Sequence, residues 1–150
     1  MNKSEDKMIK DMNHFLKGIH MGGATFKDYL NKAKDQELKN ELTYIIESFK
    51  RHEEAITNRI EQMGGNASDS LGIMGTMAEF FEKIKLIPVN TDLEVCKYAV
   101  EAMEMGMYQG NKFLSEHKDL DPSLRKEAEG VVKDYDNQLN RVKEMMNKLK

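Results

Sequence analysis

Apolar residues recur at steps of three and four along most of the chain. In the first segment they are Met8, Met12, Phe15, Ile19, Gly22, Phe26, Tyr29 and Ala33. A second stripe runs Leu38, Leu42, Ile45, Phe49, His52, Ile56 and Met63, with Ile60 beside it. A third runs Leu93, Cys96, Val100, Met103, Met107, Gly110 and Leu114, and a fourth Leu124, Ala128, Val131, Tyr135, Leu139, Val142, Met146 and Leu149. Charged residues fill the other faces. This is the period of helices that bury one stripe, and the alternation of a strand is sustained nowhere.

Helix boundaries follow from local chemistry. Ser4 is the expected cap of the first helix, with Glu5 and Asp6 complementing its positive end. Asp35 caps the second after a very short turn, which makes the first two helices antiparallel neighbours. Gly64 and Gly65 end it, because glycine adopts the left-handed backbone that closes a helix. Thr91-x-x-Glu94 is a capping box, and Asp121-Pro122 places a cap before a proline whose missing N–H costs nothing in the first turn. The predicted main helices are 4–34, 36–63, 91–118 and 122–149, in a single domain over 1–150.

Residues 64–90 are too many for a plain hairpin turn. The second helix spans roughly 40 Å at 1.5 Å per residue, and this connector is long enough to run back beside it. Within it Met77, Phe80, Phe81 and Ile84 predict a short amphipathic helix from about Gly75 to Leu86, stopped by Pro88. The expected fold is all-α: two antiparallel hairpins joined by one long crossover, the topology of ferritin-like four-helix bundles.

Composition narrows the class. The chain has 150 residues, 33% charged and 39% hydrophobic, with 2 Pro, which suits a helical domain with a core that needs no disulfides. Net charge is −3 and no long basic block is present, so nucleic-acid binding is disfavoured. No run approaches the ~20 apolar residues of a membrane span. The charged first residues lack a signal-peptide core, so a cytoplasmic location is expected. The single cysteine, Cys96, excludes an internal disulfide and a cysteine-based zinc site.

Several short motifs, in order and spacing, resemble an uncharacterised bacterial ferritin-like family, a domain of unknown function. They are Lys34-Asp35-x-Glu37-Leu38-Lys39, Met63-Gly64-Gly65 with Asp69 and Gly72, Asp92-x-Glu94, and Glu101-x-x-Glu104. The likeness spans roughly Asn13 to Met146. It implies a ferritin-like bundle and no established activity.

Ferritin-like chemistry uses two Glu and two Glu-x-x-His pairs around paired irons. No Glu-x-x-His occurs here: the residues three before His14, His20, His52 and His117 are Asp11, Lys17, Phe49 and Leu114. The first helix carries Gly22, Gly23 and Ala24 where the resemblance places an acid, and the fourth carries Asp134, Tyr135 and Asp136 but no histidine. No di-iron centre, cofactor or catalytic residue is therefore expected. The metal-binding alternative uses His52 with Glu101 and Glu104, and iron would be its metal. The plainer reading makes His52 a boundary residue bonded to Tyr135 or a backbone carbonyl, and the two glutamates a solvated face.

Twelve methionines make the chain methionine-rich. Met103 and Met107 share a helix face that Met105 leaves, so core filling is favoured over capture of a soft metal. Gly18-x-x-x-Gly22 and Gly106-x-x-x-Gly110 are harder to explain, because each interior glycine costs a helix roughly 0.5–1 kcal/mol. Close backbone approach between helices is the favoured reason; the other is room for a bulky neighbour or ligand, including a small apolar pocket near Gly22. Cys96 reads as an inert core thiol, and no nucleophile constellation or phosphate loop is present.

The leading expectation is a non-catalytic ferritin-like bundle acting through protein association or in a structural role, as a homodimer or with a protein partner. The rivals are an iron-handling protein and a carrier of a small apolar ligand held between the hairpins.

Overall fold

The computed structural model describes residues 3–68 and 89–150. Four helices carry the fold: α1 (Lys3–Lys32), α2 (Gln36–Gln62), α3 (Asp92–Glu116) and α4 (Pro122–Leu149). The described residues hold no strand. Ser4 falls inside α1 rather than before it. The short helix expected at 75–86, with Phe80, Phe81 and Pro88, lies outside the described residues, as do Asp69 and Gly72.

The caps are specific. The Asp35 carboxylate accepts from the Leu38 N–H at 2.9 Å, and Asp121 accepts from Leu124 at 3.2 Å. The Thr91 hydroxyl accepts from the Glu94 N–H at 3.1 Å, and the Glu94 carboxylate reaches back to the Asn90 N–H. At the end of α2, Gly64 takes φ +82°, Gly65 N–H donates to Ile60 O, and Gly64 N–H donates to Glu61 O. Those paired bonds are a Schellman motif, which satisfies carbonyls that a helix end leaves open.

Cross-helix contacts fix the directions. The Asp92 carboxylate at the start of α3 accepts from the Lys34 and Asp35 N–H groups in the α1–α2 turn, at 2.8 and 2.9 Å. His117, just beyond α3, meets Asp11 near the start of α1, so α1 and α3 are antiparallel. Glu37 and Glu41 at the start of α2 pair with Lys148 and Arg141 near the end of α4, and Arg59 near the end of α2 pairs with Glu127. Each helix is thus antiparallel to its packed neighbours, while α2 and α3 run parallel across the diagonal. The end of α2 and the start of α3 lie at opposite ends of the bundle.

The core combines one stripe from each helix. Leu42, Ile45, Phe49, Met103, Val131 and Leu139 are buried as expected. The stripe of α3 is rotated from the expected one: Val95, Ala99 and Phe113 are buried, Val100 and Leu114 are half-buried, and Leu93 is exposed. A helix wedged between α1 and α4 buries a wide arc, and in so apolar a segment the 3.6-residue period fits more than one phase.

Candidate functional site

A cavity of about 290 Å³ lies between α1 and α3, at the level of the paired glycines. All four helices line it. From α1 come Phe15, Gly18, Ile19, Met21, Gly22, Thr25, Phe26 and Tyr29; from α3, Tyr98, Glu101, Ala102, Met103, Met105, Gly106 and Gln109; Phe49 of α2 and Tyr135 of α4 complete it. It opens towards solvent beside Glu101 and Met105, both exposed.

The glycines explain the space. A Cβ at Gly22 would meet the Phe49 ring at 2.6 Å, and one at Gly106 would meet the Tyr135 ring at 3.0 Å. Gly22 and Gly106 each make room for an aromatic ring arriving from another helix, and Gly110 for the Val132 side chain at 2.5 Å, which favours the bulky-neighbour explanation over close backbone approach. Gly18 differs, since only the flexible end of Gln109 stands near its missing side chain. The rings then follow one another: Tyr29 to Phe26 at 5.4 Å between centroids, Phe26 to Phe49 at 5.5 Å, Phe49 to Tyr135 at 5.3 Å. Centroid spacings of about 4.5–7 Å are those of favourable aromatic pairs.

The polar groups of this wall are sparse. The Thr25 hydroxyl is engaged by the Met21 carbonyl at 2.8 Å. Burial pushes the Tyr29 phenol up to about 12, with the nearby Asp28 and Glu101 carboxylates adding to the rise. Burial, then Glu53 and Asp134, raises Tyr135 further. Both phenols stay protonated at neutral pH, which suits hydrogen bonding and not proton transfer. Glu101 is the one charged side chain among the described lining residues.

His52 lies elsewhere. Its Nε2 is 2.9 Å from the Asp134 carboxylate and 3.3 Å from the Ser48 hydroxyl, and its ring stands edge-on to Tyr135. The partner is therefore Asp134, and Tyr135 supplies a ring contact only. Burial pulls the His52 pKa down despite the opposing pull of Asp134. Ser48, His52 and Asp134 do not form a relay. A relay needs the hydroxyl and the carboxylate on opposite ring nitrogens, and here both approach the same one. His52, Glu101 and Glu104 do not converge; Glu101 and Glu104 are exposed on α3, and Glu101 stands at the cavity rim.

Among the described residues, the metal-ligating atoms that do converge belong to Asp11, Glu116 and His117, all within 4.8 Å of one another. His117 Nε2 lies 2.8 Å from Asp11 Oδ2, and the Lys7 ammonium donates to the same oxygen at 3.1 Å. Burial alone would raise the Asp11 pKa; the bonds from Lys7 and His117 outweigh it and hold the carboxyl below its ordinary value. A cation would have to displace Lys7, so the cluster works as an ion-pair clasp between α1 and the end of α3.

The fold invites a test for paired irons. The bundle centre is filled by Phe26, Phe49, Met103 and Tyr135, and the buried polar residues described are His20, Thr25, Ser48 and Gln138. No carboxylate is among them. Such donors do not fit a carboxylate-bridged iron pair, which needs several inward acids.

The sequence offered a small apolar pocket near Gly22 only as the lesser alternative to close packing, and it gave no sign of Tyr98, Thr25 and Gln109. The aromatic residues on three of the apolar stripes, at the level of the glycines, were the available signal. The pairing of Asp11 with His117 had none, because 106 positions separate them.

No curated protein matches this sequence. Two of the solved structures that share the fold show the likeness. One is a two-domain protein with DJ-1/ThiJ/PfpI-like and ferritin-like domains from Anabaena variabilis, at TM-score 0.75 and 15% identity, covering 96% of this chain and 37% of that one. The chain thus spans little more than a third of that protein. The other is a conserved hypothetical protein from Mycobacterium tuberculosis, at TM-score 0.66 and 11% identity, covering 97% of this chain and 99% of that one. At these identities the likeness speaks for a ferritin-like, all-α bundle. None of the described helices is long and apolar enough to cross a membrane. The family model for a domain of unknown function, DUF2383, matches residues 7–116, and the chain belongs to that family.

Proposed function

We propose that this bundle binds a small, mainly apolar molecule in the cavity between α1 and α3, without chemical turnover. The observation that carries this reading is the cavity itself. At about 290 Å³ it exceeds the ~150 Å³ apolar cavity that suffices for benzene, and it lies close to the lower end of the range for ligand pockets. Its wall is apolar and aromatic with a few polar groups, the usual make-up of a small-molecule site.

Calorimetric titration with propylbenzene tests this. Saturable binding with one site per chain is expected, and it should vanish in Gly18→Leu. That substitution adds bulk to the cavity wall, its Cβ meets only the flexible end of Gln109, and it improves helix propensity. Absence of binding to the wild-type protein, or full binding in Gly18→Leu, would overturn the assignment.

A second reading, association with another protein or a second copy, draws support from Met105 and Tyr108, which are 63% and 69% exposed on α3. Sedimentation of the wild type against Tyr108→Lys, a position outside the cavity wall, separates it from ligand binding. Among the described residues, metal handling draws support from the Asp11, Glu116 and His117 cluster alone, and metal analysis of protein purified without chelators tests it.

A further inference from the structure

The cavity proposed above as a ligand site has a charge preference, and this step rests on that reading. We propose that its ligand is an organic cation: an amine or quaternary ammonium carried on an apolar body. Glu101 is the one charged residue of the described lining, and no described lysine, arginine or histidine stands there. Glu101 makes no ion pair with any described residue, so its carboxylate is available at the rim. An anionic group entering this site would give up water without gaining a cationic partner, and would face Glu101. A cation would gain that carboxylate.

The wall suits the same charge. Tyr29, Phe26, Phe49 and Tyr135 succeed one another at ring separations of 5.3–5.5 Å. Aromatic faces carry negative charge density and attract ammonium groups within about 6 Å, most strongly where water is excluded. Tyr29 lies within the field of Glu101, so one end of the aromatic row adjoins the carboxylate. The ammonium would sit at the end of the row beside Glu101 and the Tyr29 ring, with the apolar body along the remaining rings.

Three probes of similar shape decide the matter: propylbenzene, 3-phenylpropylammonium and 3-phenylpropanoate, each titrated at low and moderate salt. The ammonium is expected to bind at least tenfold tighter than the carboxylate, and the gap should narrow as salt rises. In Glu101→Gln the ratio of ammonium to carboxylate affinity should fall several-fold, read within the variant so that any change common to all three probes cancels. Glu101 is exposed, so this variant keeps its core. If propylbenzene and the ammonium bind no better than the carboxylate, or the gap survives Glu101→Gln unchanged, the charge assignment is wrong and the cavity reading stands. If none of the three binds, both fall together.

Discussion

At the residue scale, the glycines divide by what faces them. Gly22 lies on α1 against the Phe49 ring, and a Cβ there would approach to 2.6 Å. Gly22→Ala gains the helix preference of alanine, worth about 0.5–1 kcal/mol, but forces a buried ring from its rotamer at about 1–3 kcal/mol. The net result should be destabilisation of about 1 kcal/mol. Gly130, inside α4, has nothing within 4 Å of its missing Cβ, so Gly130→Ala should stabilise by about 0.5–1 kcal/mol. Urea denaturation of both variants checks the opposite signs; the same sign for both would show that the Phe49 ring yields freely. The sequence made Gly22 conspicuous by its cost. It could not say which neighbour Gly22 accommodates, because that ring belongs to another helix.

His52 allows a second prediction at this scale. Its folded pKa lies below the ordinary 6.5, so the unfolded chain takes up the proton first as pH falls. The stability linked to this group is therefore fully present above pH 6.5 and is lost as pH falls from there through the folded value. Between pH 7.5 and 5.5 the wild type should lose more unfolding free energy than His52→Gln, compared as slopes because the substitution also removes the contact with Asp134. Equal slopes, or a steeper one in the variant, would mean that Asp134 compensates the burial of the ring. This histidine was legible as a stripe position between Phe49 and Ile56. Its partner was not, since Asp134 lies on another helix, far along the chain.

Elements are the scale at which sequence and structure agree most closely. Asp35, Thr91 with Glu94, Asp121 with Pro122, and Gly64 all act where their chemistry says they should, because caps and turns are satisfied within a few residues. The rotated stripe of α3 is the counterexample: burial there depends on two neighbouring helices. Asp92 combines both cases. It belongs to the first turn of α3, where a negative charge is favourable, yet its carboxylate accepts two backbone N–H groups from the α1–α2 turn. Removing it leaves the partly buried Asp35 N–H and the exposed Lys34 N–H without this partner and weakens the tie between the hairpins. Asp92→Ala should therefore cost about 1–3 kcal/mol, and Asp92→Glu should recover little because the longer arm misplaces both oxygens. Thermal unfolding of the two variants checks this. A loss confined to the few tenths expected of a surface helix-end charge would show that water replaces the carboxylate.

The whole molecule is held by contacts that no local pattern reveals. The parallel diagonal of α2 and α3 emerges from pairs such as Asp11 with His117 and Glu37 with Lys148, each more than 100 positions apart. The cavity has the same origin, since its wall takes side chains from all four helices. A ligand there would bind only the assembled bundle and would oppose any opening that separates the hairpins. At a concentration 100 times its dissociation constant it should add about 2.7 kcal/mol. For a chain of this size that corresponds to a rise in Tm of roughly 5–10 °C. Cys96 provides an independent reporter. It is fully buried on α3, outside the cavity wall, and burial pushes its thiol up to about 11, so it reacts only when the bundle opens. If opening is one cooperative event, the same ligand concentration should slow native-state thiol labelling about 100-fold, in step with the melting shift. Labelling that ignores the ligand while the melting temperature rises would show that α3 exposes its thiol by a smaller opening that leaves the cavity intact. The four helices would then not form a single cooperative unit.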